Sequence, residues 1–143
     1  MIKTKTLVCK SLSDDMSGVK LVETQIEEPK DNEILIKVKA ASVNFPDLLM
    51  TQGKYQHKPE LPFGLGMEGS GIVQSVGSEV SRIKEGDEVT FGALGKGAFT
   101  EFICVNQNSV EIKPSNLNFE QAAAFQTAYL TAYVSLVRRG ELT

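Results

Sequence analysis

The 143-residue chain has no tryptophan, one histidine and two cysteines. That scarcity excludes several chemistries. Cys9 and Cys104 match no zinc or redox spacing, so they read as two buried free thiols in a reducing compartment. His57 is the lone imidazole, and no His/Cys/Asp/Glu cluster has metal-ligand spacing. No Gly-x-Ser-x-Gly elbow is present, which leaves hydrolase chemistry with little support. Lys and Arg number 15 against 18 Asp and Glu, for a formal net charge of −3. Without a basic stripe the electrostatic footprint of a nucleic-acid binder is missing. No apolar run approaches the roughly 18 residues of a membrane span. The N-terminus, MIKTKTLVCKSLSDD, lacks the apolar core of a signal peptide. The expectation is a cytoplasmic protein with no nucleic-acid or membrane partner.

What is present is mostly short strands broken by turn signals, with no internal repeat. Residues 6–10 and 18–26 are β-prone, and Glu-Glu-Pro29-Lys-Asp-Asn32 ends the second run. Over residues 33–40, Ile34, Ile36 and Val38 share one face, with Lys37 and Lys39 on the other, a strand with one wet side. Further strands are expected over residues 71–76, 87–91, 98–105 and 110–114. Such a run of short strands and glycine turns predicts a closed or partly closed β structure. Two helical stretches interrupt it. One spans residues 45–52, with Pro46 near its start. The other begins after Asn118, which has capping-box spacing to Gln121. It weakens near Phe125-Gln-Thr127, then carries Leu130, Tyr133, Val134 and Val137 at helical spacing towards Arg138, Arg139 and Gly140.

Residues 64–71, GLGMEGSG, contain the Gly-x-Gly-x-x-Gly of a dinucleotide-binding turn, with Glu85, Asp87 and Glu88 downstream. That motif works only between a strand and a helix, where the glycines admit the pyrophosphate to the helix N-terminus. Here Lys58-Pro-Glu-Leu-Pro62-Phe makes a poor buried strand before it, and Ser70-Gly-Ile-Val-Gln-Ser-Val a poor helix after it. The context fails on both sides. The glycines are expected to serve backbone conformation, and Met67 to pack near a turn.

Six stretches in order carry a different pattern. They are Ala40-Ala-Ser-Val-Asn-Phe-Pro-Asp47, Gly53-Lys-Tyr55 with Leu61-Pro62, and Gly66-Met-Glu-Gly-Ser-Gly71-Ile-Val73. Then come Ile83-Lys-Glu-Gly-Asp-Glu-Val89, Gly97-Ala-Phe-Thr-Glu-Phe102 and Ala122-Ala-Ala-Phe-Gln-Thr-Ala-Tyr-Leu-Thr131-Ala-Tyr133. Together they resemble the medium-chain dehydrogenase/reductase superfamily, in its zinc-free quinone oxidoreductase, zeta-crystallin-like branch. The resemblance implies a mainly β (α+β) fold, a GroES-like partly open barrel with short helices and a C-terminal helix. It divides the chain into a GroES-like catalytic domain over residues 1–125 and a connecting helix over residues 126–143. A doubly wound Rossmann domain, absent from this chain, would follow. The helix would rest on that domain, and its apolar residues, exposed here, would favour self-association.

The same resemblance implies NADPH as cofactor, bound mostly by the missing domain, and hydride transfer to a quinone or an α,β-unsaturated carbonyl. The parent protein would be a homodimer, and this chain alone inactive. The alternative is a non-enzymatic GroES-like interaction or structural module. Zinc relatives place a Cys where Asn44 stands and a His where Met67 stands; an amide and a thioether are poor Zn²⁺ ligands, so no metal is expected, and Glu68 alone makes no site. Tyr55 matches a functional tyrosine that donates to the developing oxyanion, or it only lines the cleft. Asn44 matches an asparagine at the nicotinamide end of the cofactor, and it also suits a helix cap. Thr131 matches a threonine near the nicotinamide, or is an ordinary mid-helix residue. Asp47 would orient groups on the substrate side, or be a first-turn acid. Leu49 stands where some relatives carry a second tyrosine, which makes the substrate side more apolar. His57 is expected in a solvated loop.

Overall fold

A computed structural model describes residues 1–142. Thr143, the end of the expected connecting helix, lies outside the described residues. The chain forms two antiparallel sheets that do not close on each other. Strands β1 (Ile2–Cys9), β2 (Val19–Ile26) and β4 (Phe63–Gly64) form one, in the order β2-β1-β4. The other holds β3 (Glu33–Ala41), β5 (Glu68–Val76), β6 (Glu88–Gly92), β7 (Phe102–Asn106) and β8 (Val110–Ile112), in the order β7-β3-β5-β6-β8. The mainly β, partly open barrel is therefore what these residues build.

The strands pack two clusters. The larger lies on the five-stranded sheet and centres on Ile34, Ile36, Val73, Val89, Phe91 and Val105. The wet face expected for β3 is present at Lys37 and Lys39, but Leu35 is buried as well. The smaller cluster, Cys9, Met50, Phe63 and Leu65, lies under helix α1 (Phe45–Thr51) and draws in Tyr55, Met67 and Phe99. It is the floor on which the candidate site stands.

Residues 97–101 tie the two sheets together. A single strand over 98–105 is expected from the residue pattern, yet β7 begins only at Phe102. The preceding residues leave the five-stranded sheet and run beside β1: Leu7 N–H donates to Phe99 C=O at 2.8 Å and Glu101 N–H to Lys5 C=O at 3.2 Å. The Thr100 hydroxyl fixes the crossing, at 3.0 Å from Thr4 Oγ1 and 2.7 Å from Thr6 Oγ1 while donating to the Phe102 carbonyl at 3.0 Å. Hydroxyl bonding of this kind gives the backbone an alternative to the ladder.

The glycine-rich stretch is strand, turn and strand. Residues 64–71 run from β4 through a turn into β5, with no helix behind them. Gly66 has φ of +99°, and a Cβ there would sit 2.8 Å from the Phe99 backbone nitrogen. The glycine is required by conformation and by space. β5 starts at Glu68, three residues before the expected 71, because Gly69 and Gly71 let neighbouring backbone approach too closely for a side chain.

At the other end, the capping box is present: Gln121 N–H donates to Asn118 Oδ1 at 2.8 Å and Asn118 N–H to Gln121 Oε1 at 3.1 Å. Helix α2 (Phe119–Ala123) stops where weakness is expected. A helical run over residues 126–139 follows, with wide π-type turns at Gln126–Leu130 and Val134–Arg139 around one α turn at Thr131–Tyr133. Leu130, Tyr133, Val134 and Val137 are all exposed on it.

Gly66→Ala combines strain at positive φ with a backbone clash and is expected to destabilise the fold by about 1–3 kcal/mol in urea denaturation. Gly92→Ala, where a Cβ meets open space, is expected to change stability by less than about 0.5 kcal/mol. Equal effects would show that the Gly66 turn carries no strain.

Candidate active site

Helix α1 sets the geometry at its first turn. Asn44 is the N-cap in extended backbone, and Pro46 occupies the first turn, where its missing N–H costs nothing. Asp47 completes the turn from the other side. Its Oδ2 accepts the Asn44 N–H at 2.8 Å and its Oδ1 accepts the Gly66 N–H at 3.2 Å. The carboxylate thus staples α1 to the glycine turn and is only 4% exposed. Burial pushes its pKa up, the two backbone N–H groups oppose the rise, and the nearby Glu68 charge adds to it. With both oxygens on backbone, Asp47 acts here as a first-turn acid.

The Asn44 side chain stands in capping-box relation to Asp47, but without a cap bond of full hydrogen-bond geometry. Its amide nitrogen turns instead to Ser42 Oγ at 2.9 Å and Glu68 Oε1 at 3.1 Å. Glu68 is 3% exposed and collects three donors. The Ser42 hydroxyl donates to Oε1 at 2.6 Å, the Asn44 amide joins it there, and Thr127 N–H donates to Oε2 at 2.8 Å. One carboxylate therefore joins β5, the loop before α1 and the start of the C-terminal helix. A second bond supports that junction: Gln126 Nε2 donates to Thr90 Oγ1 at 3.1 Å.

Tyr55 follows the α1 C-terminus, after Gly53 at φ +68°. Its ring is half-buried on the Cys9–Met50–Phe63–Leu65 cluster, and its hydroxyl makes no hydrogen bond among the described residues. Met67 packs on the same cluster while its carbonyl accepts Ala93 N–H at 2.7 Å. Leu49 is half-buried on α1, and Val43 and Phe45, which flank Asn44 in the chain, are exposed, as is Leu48 on α1. Asn44, Asp47, Leu49 and Tyr55 thus belong to one region, built on α1 and its flanks. Thr131 does not join them. It is exposed, and its main neighbours are the adjoining turns of its own helix. His57 is exposed, with Nε2 beside Gly95.

Among the described residues, no three His, Cys, Asp or Glu side chains gather where a metal ion would fit. Cys104 lines a cleft of about 550 Å³ between the β1–β2 hairpin and β7. Burial, then the Glu33 charge, pushes its thiol up to about 11, against a smaller pull from Lys96. Burial raises the Cys9 thiol as well. Neither is an activated nucleophile.

The part of Glu68 is what the residue pattern left unread. Its partners lie 26, 24 and 59 residues away in the chain. The available signal was a lone carboxylate between glycines in a stretch bound for a sheet interior, where a charge demands donors.

The sequence profile of the alcohol dehydrogenase GroES-like domain matches residues 30–115. The chain belongs to that family. Its relatives lie in the quinone oxidoreductase branch of the medium-chain dehydrogenase/reductase superfamily. The pig quinone oxidoreductase is 37% identical over 125 residues, covering 84% of this chain and 38% of its own length. The quinone oxidoreductase of Coxiella burnetii superposes with a TM-score of 0.86 at 32% identity, over 96% of this chain and 45% of that one. The Escherichia coli quinone oxidoreductase, solved in complex with NADPH, gives a TM-score of 0.78 at 34% identity, over 93% of this chain and 40% of that one. The chain thus spans less than half the length of these relatives.

The raised Cys104 pKa has a measurable consequence. At pH 8 its thiolate fraction is about 100-fold below that of an unperturbed cysteine; the more basic thiolate is intrinsically more nucleophilic, so disulfide-reagent labelling of the Cys104 peptide should be slower by roughly 10-fold. Burial favours the protonated thiol, so this contribution to stability is complete below the ordinary value of 9.0 and is lost as pH rises through about 11. Labelling at the rate of the unfolded chain at pH 8 would contradict this environment.

Proposed function

We propose that this chain is the N-terminal catalytic domain of an NADPH-dependent reductase that transfers hydride to a quinone or an α,β-unsaturated carbonyl. The observation that carries the reading is the likeness, across nearly the whole chain, to a quinone oxidoreductase in complex with NADPH. Residues 1–125 form the catalytic domain on this reading, and the run from 126 leads to a nucleotide-binding domain that supplies most of the dinucleotide contacts. The parent protein is a cytoplasmic homodimer, and the 143-residue chain alone has no turnover.

The residues present suit the nicotinamide end of the cofactor. Asn44 is half-exposed, held rigidly from behind, and has polar capacity to spare towards a ligand. When bound, the cofactor supplies the hydride. The chain then has two tasks. The exposed apolar side chains Val43, Phe45 and Leu48, with Leu49, exclude water and hold a flat, apolar acceptor. The Tyr55 hydroxyl, without a hydrogen-bond partner among the described residues, donates to the carbonyl oxygen as negative charge builds there. No zinc takes part on this reading: Asn44 and Met67 are poor ligands, and Glu68 and Asp47 are both committed to hydrogen bonds. Thr131 enters the site only if the following domain folds back over the exposed helix.

NADPH oxidation by the parent-length protein with a quinone and with an enone tests the reading, and absence of turnover with either would overturn it. Tyr55→Phe is expected to lower kcat/KM by about 10–100-fold, mainly through kcat. Unchanged kinetics would remove Tyr55 from the chemistry and leave it as a lining residue.

A further inference from the structure

The turn that carries Tyr55 leans on a distant part of the chain. The last four carbonyls of a helix have no partner within it, and in α1 they belong to Leu48, Leu49, Met50 and Thr51. Three are met nearby. The Thr51 hydroxyl donates to Leu48 C=O at 2.8 Å, Lys54 N–H to Leu49 C=O at 2.9 Å and Gly53 N–H to Met50 C=O at 3.1 Å. The fourth, Thr51 C=O, accepts the N–H of Ser13 at 3.0 Å, from the loop between β1 and β2. That loop, residues 10–18, grips the turn at further points. Leu12 Cδ1 lies 2.8 Å from where a Cβ on Gly53 would stand. Lys54 Nζ pairs with Asp14 Oδ1 at 2.7 Å, and Gln52 Nε2 donates to Asp14 C=O at 3.4 Å. The ion pair is exposed and contributes little alone. The Ser13 bond and the Leu12 contact carry the grip. The loop also braces itself: Lys10 N–H donates to Gly18 C=O at 2.9 Å, Gly18 N–H to Ser13 Oγ at 3.3 Å and Val19 N–H to Met16 C=O at 2.9 Å. Its base, the paired residues Cys9 and Val19, belongs to the cluster on which the Tyr55 ring packs. One hairpin therefore supplies both the floor under the ring and the clamp on the backbone that carries it.

We propose that the β1–β2 loop is a positioning element that fixes Tyr55 in the site by clamping residues 51–54, with Leu12 and Ser13 as its main points of contact. The phenol oxygen stands at the far end of a rigid ring, so a small rotation of the turn moves it further than any other atom of the residue. Misplacement of a reacting group by about 1 Å costs up to about 100-fold in an oriented step. The effect on turnover rests on the role given to Tyr55 above; the clamping of Tyr55 does not.

Two measurements separate these claims. The variant replaces residues 11–17 by Asn-Gly, the two-residue turn that suits the bonded pair Lys10 and Gly18, so the hairpin closes and only the clamp is lost. In the parent-length protein it is expected to lower kcat for quinone reduction by about 3–10-fold, less than Tyr55→Phe does, with KM little changed. Added to Tyr55→Phe, it is expected to lower kcat by less than about 2-fold more, because the loop acts through Tyr55. The full loss in both backgrounds would overturn the proposal. In the 143-residue chain, fluorine NMR of meta-fluorotyrosine follows the three tyrosines, and Tyr55→Phe assigns the Tyr55 signal. The loop replacement is expected to shift that signal and leave those of Tyr129 and Tyr133 in place, while the β5 backbone amides stay protected. Leu12→Ala is expected to act in the same direction and serves if the shortened hairpin does not fold. If the unsubstituted parent has no turnover, or if Tyr55→Phe leaves it unchanged, the catalytic role of Tyr55 fails and the fluorine signal still decides the clamp. An unmoved Tyr55 signal in a folded variant overturns the proposal.

Discussion

A carboxylate taken out of water destabilises a fold unless donors replace its hydration, by several kcal/mol per ion in round terms. Glu68 meets that demand with three donors drawn from three parts of the chain, at Ser42, Asn44 and Thr127. The loop before α1 cannot shift without unbinding Oε1, and the C-terminal helix cannot shift its first turn without unbinding Oε2. Asp47 sits next to this carboxylate and is buried as well, yet it draws only on backbone N–H groups at Asn44 and Gly66. Two neighbouring acids thus divide the work. Asp47 closes the helix onto the glycine turn, and Glu68 orients the polar side chain at its mouth.

That arrangement needs backbone segments to come unusually close. Gly66 brings its turn against Phe99 and exposes its N–H to Asp47, and Gly97 at φ +95° lies against Gly64 and Leu65. Residues 97–101 then cross from one sheet to the other. A stretch that spells a phosphate-binding turn serves here to pack strand against strand. The distinction is physical: phosphate binding needs free N–H groups at a helix start, whereas the Leu65 and Gly66 N–H groups are taken by Leu7 and Asp47.

Local features were legible from the residues. The Asn118–Gln121 capping box, the helix break at Phe125 and the wet face of β3 at Lys37 and Lys39 follow from short-range chemistry, and each is present. The family resemblance carried the barrel architecture. Long-range features were not legible. The Thr100 crossing depends on hydroxyls more than 90 residues away in sequence. Burial of Leu35 opposite Ile34 and Ile36 depends on what covers the second face of a central strand. The Glu68 junction spans residues 42–127, and no local pattern encodes three donors that meet only in the fold. Among the candidate site residues, Asn44, Asp47, Leu49 and Tyr55 share one region because α1 groups them. Thr131 stands apart because nothing within these residues covers its helix.

The site is organised by hydrogen bonds around a buried acid, in a fold whose zinc relatives are expected to place a metal at the same positions. The most direct test measures metal content and NADPH-dependent quinone turnover of the parent-length protein before and after exhaustive dialysis against a strong chelator. The account predicts no stoichiometric zinc at this site and turnover unchanged by chelation. Zinc bound near one ion per chain, with activity lost on its removal and restored on its return, would contradict it.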